Sequence, residues 1–121
     1  MKRIGLLSDT HGWLDPKLTD FFQDCDEVWH CGDMGDVAVA DALAARFRLR
    51  AVYGNIDGGV LRQMFRETEV FECEGVKVVM THIGGYPGRY DLRIKPLLLA
   101  EAPRLFVCGH SHIAKVMFDK K

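Results

Sequence analysis

No apolar run in the chain approaches the ~18 residues that would cross a bilayer. The nearest thing to a leader is Ile4-Gly5-Leu6-Leu7 behind Lys2 and Arg3. It stops at Ser8-Asp9, short of the apolar stretch of about 7 to 15 residues that a secretory signal needs. Charge of one sign is missing too. Sixteen Lys and Arg against 17 Asp and Glu leave a net charge of -1, so a global electrostatic grip on nucleic acid or an anionic membrane is not indicated. Cys25, Cys31, Cys73 and Cys108 make no C-x-x-C pair; they read as reduced thiols of a cytoplasmic protein, with Cys31 and Cys108 in the core. Repeats, low-complexity segments and linkers are absent as well. At 121 residues and 48% hydrophobic, one soluble domain over residues 1–121 is expected.

What is present is alternation. Residues 2–8 form a short apolar run, followed by a helix that opens at Asp15 (N-cap) and Pro16, with Leu18, Phe21 and Phe22 as its inward face. Residues 27–31 form the next run, residues 35–47 an Ala-rich helix, and residues 48–53 a third strand. Strand, helix, strand, helix, strand implies a parallel sheet. Residues 68–73 and 76–81, split by Glu74-Gly75, read as an antiparallel hairpin with Glu67, Glu69, Glu72 and Glu74 on its solvent face. A Gly- and Arg-rich loop (83–91), a short helix near 96–102, a strand at 105–108 and a strand start at 114–118 complete an α/β chain.

The informative residues end the apolar runs. Leu7-Ser8 leads into Asp9-Thr10-His11, Cys31-Gly32 into Asp33, Tyr53-Gly54 into Asn55, Thr81 into His82, and Cys108-Gly109 into His110-Ser111-His112. Ligands of open α/β sheets bind outside the carboxyl ends of strands, so these side chains are expected on one rim. The spacing of two in Asp9-x-His11 and His110-x-His112 puts both members on one face of an extended chain. Seven mixed oxygen and nitrogen ligands exceed one tetrahedral zinc site and suit two divalent ions about 3.5 to 4 Å apart. Carboxylate, amide and imidazole together favour manganese first, with nickel, iron or zinc as alternatives, over magnesium or calcium. His30, inside the second strand, reads as structural or as support for a ligand, and Asp36 and Asp57 read as turn or N-cap residues. Arg89, Arg93 and Lys95 suit either phosphate oxygens or a solvated loop.

The ordered set D-x-H, G-D, G-N, His, G-H-x-H resembles the signature of the calcineurin-like metallophosphoesterase superfamily, in particular its small bacterial and archaeal phosphodiesterase branch. That resemblance implies two mixed sheets flanked by helices. It implies that Asp9, His11 and His112 hold one metal, that Asn55, His82 and His110 hold the other, and that Asp33 bridges them. A metal-bridging hydroxide would then attack phosphorus in line, with Asp33, Asn55 and His82 as the catalytic residues.

Two departures qualify it. Many members carry G-N-H-[DE], whereas this chain has Gly54-Asn55-Ile56-Asp57; isoleucine donates no proton, which favours diesters with good leaving groups over monoesters. Members usually continue past G-H-x-H through further strands, so the C-terminal part of the second sheet is expected to be missing or reduced.

The expected activity is metal-dependent hydrolysis of a small phosphodiester or nucleotide. The alternative is a catalytically silent metal-binding scaffold for protein partners, a retromer-subunit-like use of the fold. A duplex-gripping nuclease is disfavoured by the lack of a basic stripe. The expected partner is a small phosphate-ester substrate, with no membrane and no strong nucleic-acid signal, and homo-oligomer formation is left open.

Overall fold

The computed structural model describes residues 2–83, 85–86, 89–109 and 115–117. Three short strands, β1 (Ile4–Leu7), β2 (Glu27–His30) and β3 (Arg48–Ala51), pair in parallel with β2 in the middle. The first crossover carries α1 (Pro16–Phe21) and the second α2 (Val37–Arg46). The first helix starts as the sequence predicts, with the Asp15 carboxylate accepting from the Lys17 N–H, and the second starts two residues later than expected, at Val37, with the Asp36 carboxylate accepting from the Ala38 N–H. β3 leads into α3 (Gly59–Met64), which the sequence reading did not contain. Its Gly58-Gly59 start reads locally as a turn, and the single residue it buries, Leu61, leaves no periodic stripe.

The second sheet is mixed. β4 (Thr68–Cys73) and β5 (Val76–Thr81) form the expected hairpin, β8 (Leu105–Cys108) joins β5 in parallel, and β9 (Lys115–Met117) pairs antiparallel with β8. Between β5 and β8 lie a two-stranded ribbon, β6 (Gly85–Tyr86) with β7 (Arg89–Tyr90), and α4 (Lys95–Glu101). The resemblance implied two mixed sheets. Among the described residues the first sheet is wholly parallel, because each of its connections is a helical crossover.

Side-chain alternation then dictates four layers. Leu7, Val28 and Ala51 face α1, α2 and α3 and pack with Phe22, Val39, Ala40, Leu43 and Leu61. The opposite face, with Trp29 and Cys31, meets Val78, Met80 and Val107 of the second sheet. Trp29 and Phe71 touch edge to face there, ring centroids 4.9 Å apart. Beyond the second sheet, Val79 and Phe106 pack against Ile94, Leu97 and Leu98 of the α4 segment. Both faces of the inner strands are covered, which is why apolar residues stand at successive positions in Val28-Trp29, Val78-Val79-Met80 and Phe106-Val107-Cys108.

One expected inward residue is not inward. Phe21 is 79% exposed whereas Phe22 is buried. Adjacent helical residues point about 100° apart, so a six-residue helix lying on the sheet can present only one of them. Of the hairpin glutamates, Glu72 and Glu74 are exposed as expected, but Glu69 lies two residues from Phe71 and is half-buried. Glu27, a buried carboxylate at the start of β2, accepts from Lys2 Nζ (2.8 Å), Trp29 Nε1 (3.1 Å) and Arg50 Nε (3.2 Å). Burial alone would raise its pKa; these donors outweigh it and hold the group at about 2.

Candidate metal centre

The loops after β1, β2, β3 and β5 meet at one end of the sandwich. The first two are stitched together by backbone bonds: Asp9 N–H donates to the Gly32 carbonyl (3.0 Å), His11 to Asp33 (3.1 Å) and Gly12 to Met34. Asp9, His11 and Asp33 all take left-handed backbone conformations, φ +57°, +51° and +59°. Each costs of the order of 1 kcal/mol or more, a cost the cross-loop bonds offset. The sequence reading put Asp9 and His11 on one face of an extended chain; the loop turns instead, and the two side chains still approach to 3.8 Å.

Asp9, Asp33 and His82 each offer a ligand atom, all within 4.8 Å of one another. His82 is oriented from behind. Its Nδ1 lies 2.7 Å from the Cys31 carbonyl oxygen, which can only accept, so Nδ1 carries the proton. Nε2 therefore faces Asp33 Oδ2 at 3.1 Å and Asp9 Oδ1 at 3.8 Å. Three acceptors turned towards one point repel unless a cation sits among them, whether a metal ion or a second proton on the imidazole. Each carboxylate also has its other oxygen tied, Asp9 Oδ2 by the Ser8 hydroxyl and Asp33 Oδ1 by the Ile56 N–H at 3.0 Å. Two carboxylate oxygens and one imidazole nitrogen fit a borderline divalent ion.

Two glycines make room for this. Gly32, at φ +101°, passes so close to the His82 ring that a Cβ would lie 2.8 Å from Nδ1. At Gly54 a Cβ would collide with the Asp33 carboxylate and backbone nitrogen.

The buried Asp57 was expected to be a turn or cap residue, and its part is larger. Its carboxylate accepts four backbone N–H groups: Asp33 (3.0 Å), Met34 (3.3 Å), Gly35 (2.9 Å) and Gly54 (2.9 Å). One side chain thus ties the G-D loop to the G-N loop. The acidic residue ending the G-N-x-D motif was the signal for it. His30, buried in β2, plays a parallel part. Its Nδ1 accepts from Gly32 N–H (3.1 Å), so Nε2 carries the proton and donates to Thr10 Oγ1 (3.1 Å), which donates to the Met34 carbonyl (3.1 Å). Burial pushes the His30 pKa down to about 4, against the upward pull of Asp57 and Asp9, so the ring is neutral. Burial likewise pushes the Cys31 thiol well above its usual range, as befits a core thiol.

Asn55 is exposed and lines a cleft of about 180 Å³ together with His82, Tyr53, Arg62, Thr81 and Arg93. Glu67, expected on the solvent face of the hairpin, also borders this cleft and accepts from the Tyr53 hydroxyl (3.3 Å). Arg62 was not singled out by the sequence, since α3 itself gave no local signal. Lys95 does not line the cleft. The structure brings Asp9, His11, Asp33, Asn55 and His82 to one end of the molecule; His110, His112 and the Arg89 side chain lie outside the described residues.

A family model described as the calcineurin-like phosphoesterase superfamily domain matches residues 1–121. A "Probable metallophosphoesterase" of Methanocaldococcus jannaschii is 30% identical over 115 residues, covering 90% of this chain and 58% of the relative. The chain thus spans under two thirds of that relative's length. Among solved structures, a novel archaeal phosphodiesterase superposes with a TM-score of 0.69 at 25% identity, covering 93% of this chain and 75% of its own. Vps29 of Entamoeba histolytica complexed with Zn2+ shares the fold, with a TM-score of 0.70 at 19% identity over 90% of this chain and 64% of its own. The family and the fold agree with what the sequence resembled.

Proposed function

Because the chain belongs to the calcineurin-like phosphoesterase superfamily, we propose that it is a metal-dependent phosphodiesterase acting on a small phosphodiester or nucleotide. The observation that supports this most is the convergence of Asp9, Asp33 and His82, with the protonated nitrogen of His82 turned away towards a carbonyl. In this reading Asp9, His11 and His112 hold one ion, Asn55, His82 and His110 the other, and Asp33 serves both; manganese is the first expectation. Bound there, two divalent ions would supply Lewis acidity towards the phosphoryl group and a lowered pKa for water.

The chain's own residues do the rest. Ser8 and the Ile56 N–H hold one oxygen of Asp9 and Asp33 and so turn the other inward. Cys31 fixes the ring of His82. Asn55, at the cleft, offers an amide N–H2 to a phosphoryl oxygen as negative charge develops. Ile56, half-exposed beside it, offers no proton, so leaving groups that depart as anions are favoured.

The test is hydrolysis of bis-p-nitrophenyl phosphate by chelator-stripped protein with manganese, nickel, zinc or magnesium restored, and Asp33→Asn as control. Turnover regained with metal and reduced at least 100-fold in the variant is expected. Two ions bound per chain without turnover would instead support the scaffold reading, and neither ions nor turnover would defeat both.

A further inference from the structure

Arg62 stands in the cleft beside Asn55 and His82 yet belongs to no ligand set. Its Nε donates to the Asp57 carbonyl at 2.7 Å, and its guanidinium lies 4.5 Å over the Tyr53 ring. Tyr53 is in turn held by Glu67 through its hydroxyl. These contacts orient the guanidinium plane, and among the described residues neither terminal nitrogen makes a hydrogen bond. Among the described residues no carboxylate pairs with Arg62. The second guanidinium of the cleft, on Arg93, is already neutralised by Asp91 at 3.1 Å.

A pre-oriented cation fork in a cleft matches a tetrahedral oxyanion, and fixing it beforehand lowers the ordering cost of binding. The phosphoryl group to be cleaved belongs at the Asp9, Asp33 and His82 cluster, which does not include Arg62. We infer that Arg62 recognises a second phosphoryl group of the substrate. The substrate class is then a diester or anhydride carrying at least two phosphates, such as a nucleotide diphosphate conjugate, rather than an isolated phosphodiester. This rests on the phosphodiesterase reading above.

Two measurements test it. The first needs no turnover: in 15N-labelled full chain without added metal, the Arg62 Nε–Hε signal is followed as inorganic phosphate, AMP or acetate is added. A saturable shift with phosphate and AMP, and none with acetate, is expected. No saturable shift, or an equal response to acetate, overturns the inference.

The second compares ADP-ribose, with two phosphoryl groups, against bis-p-nitrophenyl phosphate, with one. Arg62→Gln should lower kcat/KM for ADP-ribose about 10- to 100-fold more than for the single-phosphate ester, mainly through KM, with Arg62→Lys in between. Equal losses on both substrates would show that Arg62 recognises no second phosphoryl group; the inference would then fall while the phosphodiesterase reading stood. If no metal restores turnover, that reading fails and the substrate inference falls with it, while the Nε titration still reports whether Arg62 binds a phosphoryl group.

Discussion

Replacing Asp57 by Asn tests whether one buried carboxylate assembles the candidate metal centre. Oδ2 accepts three N–H groups, from Asp33, Met34 and Gly54, and Oδ1 accepts the fourth, from Gly35. With the amide oxygen in the Oδ2 position, Asn keeps three bonds without their charge and sets its N–H2 against the Gly35 N–H. Hydrogen bonds to a charged group contribute about 1.5–3 kcal/mol each, and an orphaned buried donor costs about 1–3 kcal/mol. The variant also escapes the cost of burying a carboxylate, which acts in the opposite direction.

With four donors satisfied, the bonds should win. The expected net loss is about 3 kcal/mol, a sizeable part of the 5–15 kcal/mol typical of a domain. At a urea m-value of roughly 1.5 kcal/mol/M the midpoint moves down by about 2 M. Because Asp33 and Gly54 both hang from this carboxylate, affinity for manganese or zinc should fall about 10- to 100-fold. Urea unfolding in chelator and calorimetric metal titration read the two effects. A midpoint within 0.3 M of the parent, or above it, would show that desolvation cancels the bonds and refute the reasoning.

Two further outcomes follow from the same geometry. His30 has its pKa lowered from 6.5 to about 4, so below pH 6.5 the unfolded chain binds a proton that the native ring refuses. Stability is thus full above pH 6.5 and is lost as pH falls towards 4, by at most about 1.4 kcal/mol per unit. Unfolding of metal-free protein at pH 7.5, 6.0 and 5.0 should show a steeper loss for the parent than for His30→Gln, and parallel slopes would dismiss the idea. Gly54→Ala should displace the Asp33 carboxylate, costing about 1–3 kcal/mol by overpacking. Metal affinity should drop at least 10-fold while far-ultraviolet circular dichroism is kept; unchanged affinity would mean that the loop relaxes freely.

Much of this molecule is written locally. Asp15 and Asp36 cap their helices, Glu74-Gly75 turns the hairpin, and apolar runs mark the strands, because each signal depends on neighbours a few residues away. The ligand candidates were legible for the same reason: each follows the end of a strand, and Asp9, Asp33 and His82 do meet.

Tertiary structure alone decided what holds them. Asp57 reaches N–H groups 22 to 24 residues away, His30 reaches Thr10 across 20, and His82 rests on a carbonyl 51 residues back. No periodicity encodes such bonds, since they exist only once four loops share one end of the sandwich. The choice between Phe21 and Phe22 for the core, and the position of Arg62 over Tyr53, belong to the same class. Sequence named the candidate ligands; packing across distant segments oriented Asp9, Asp33 and His82.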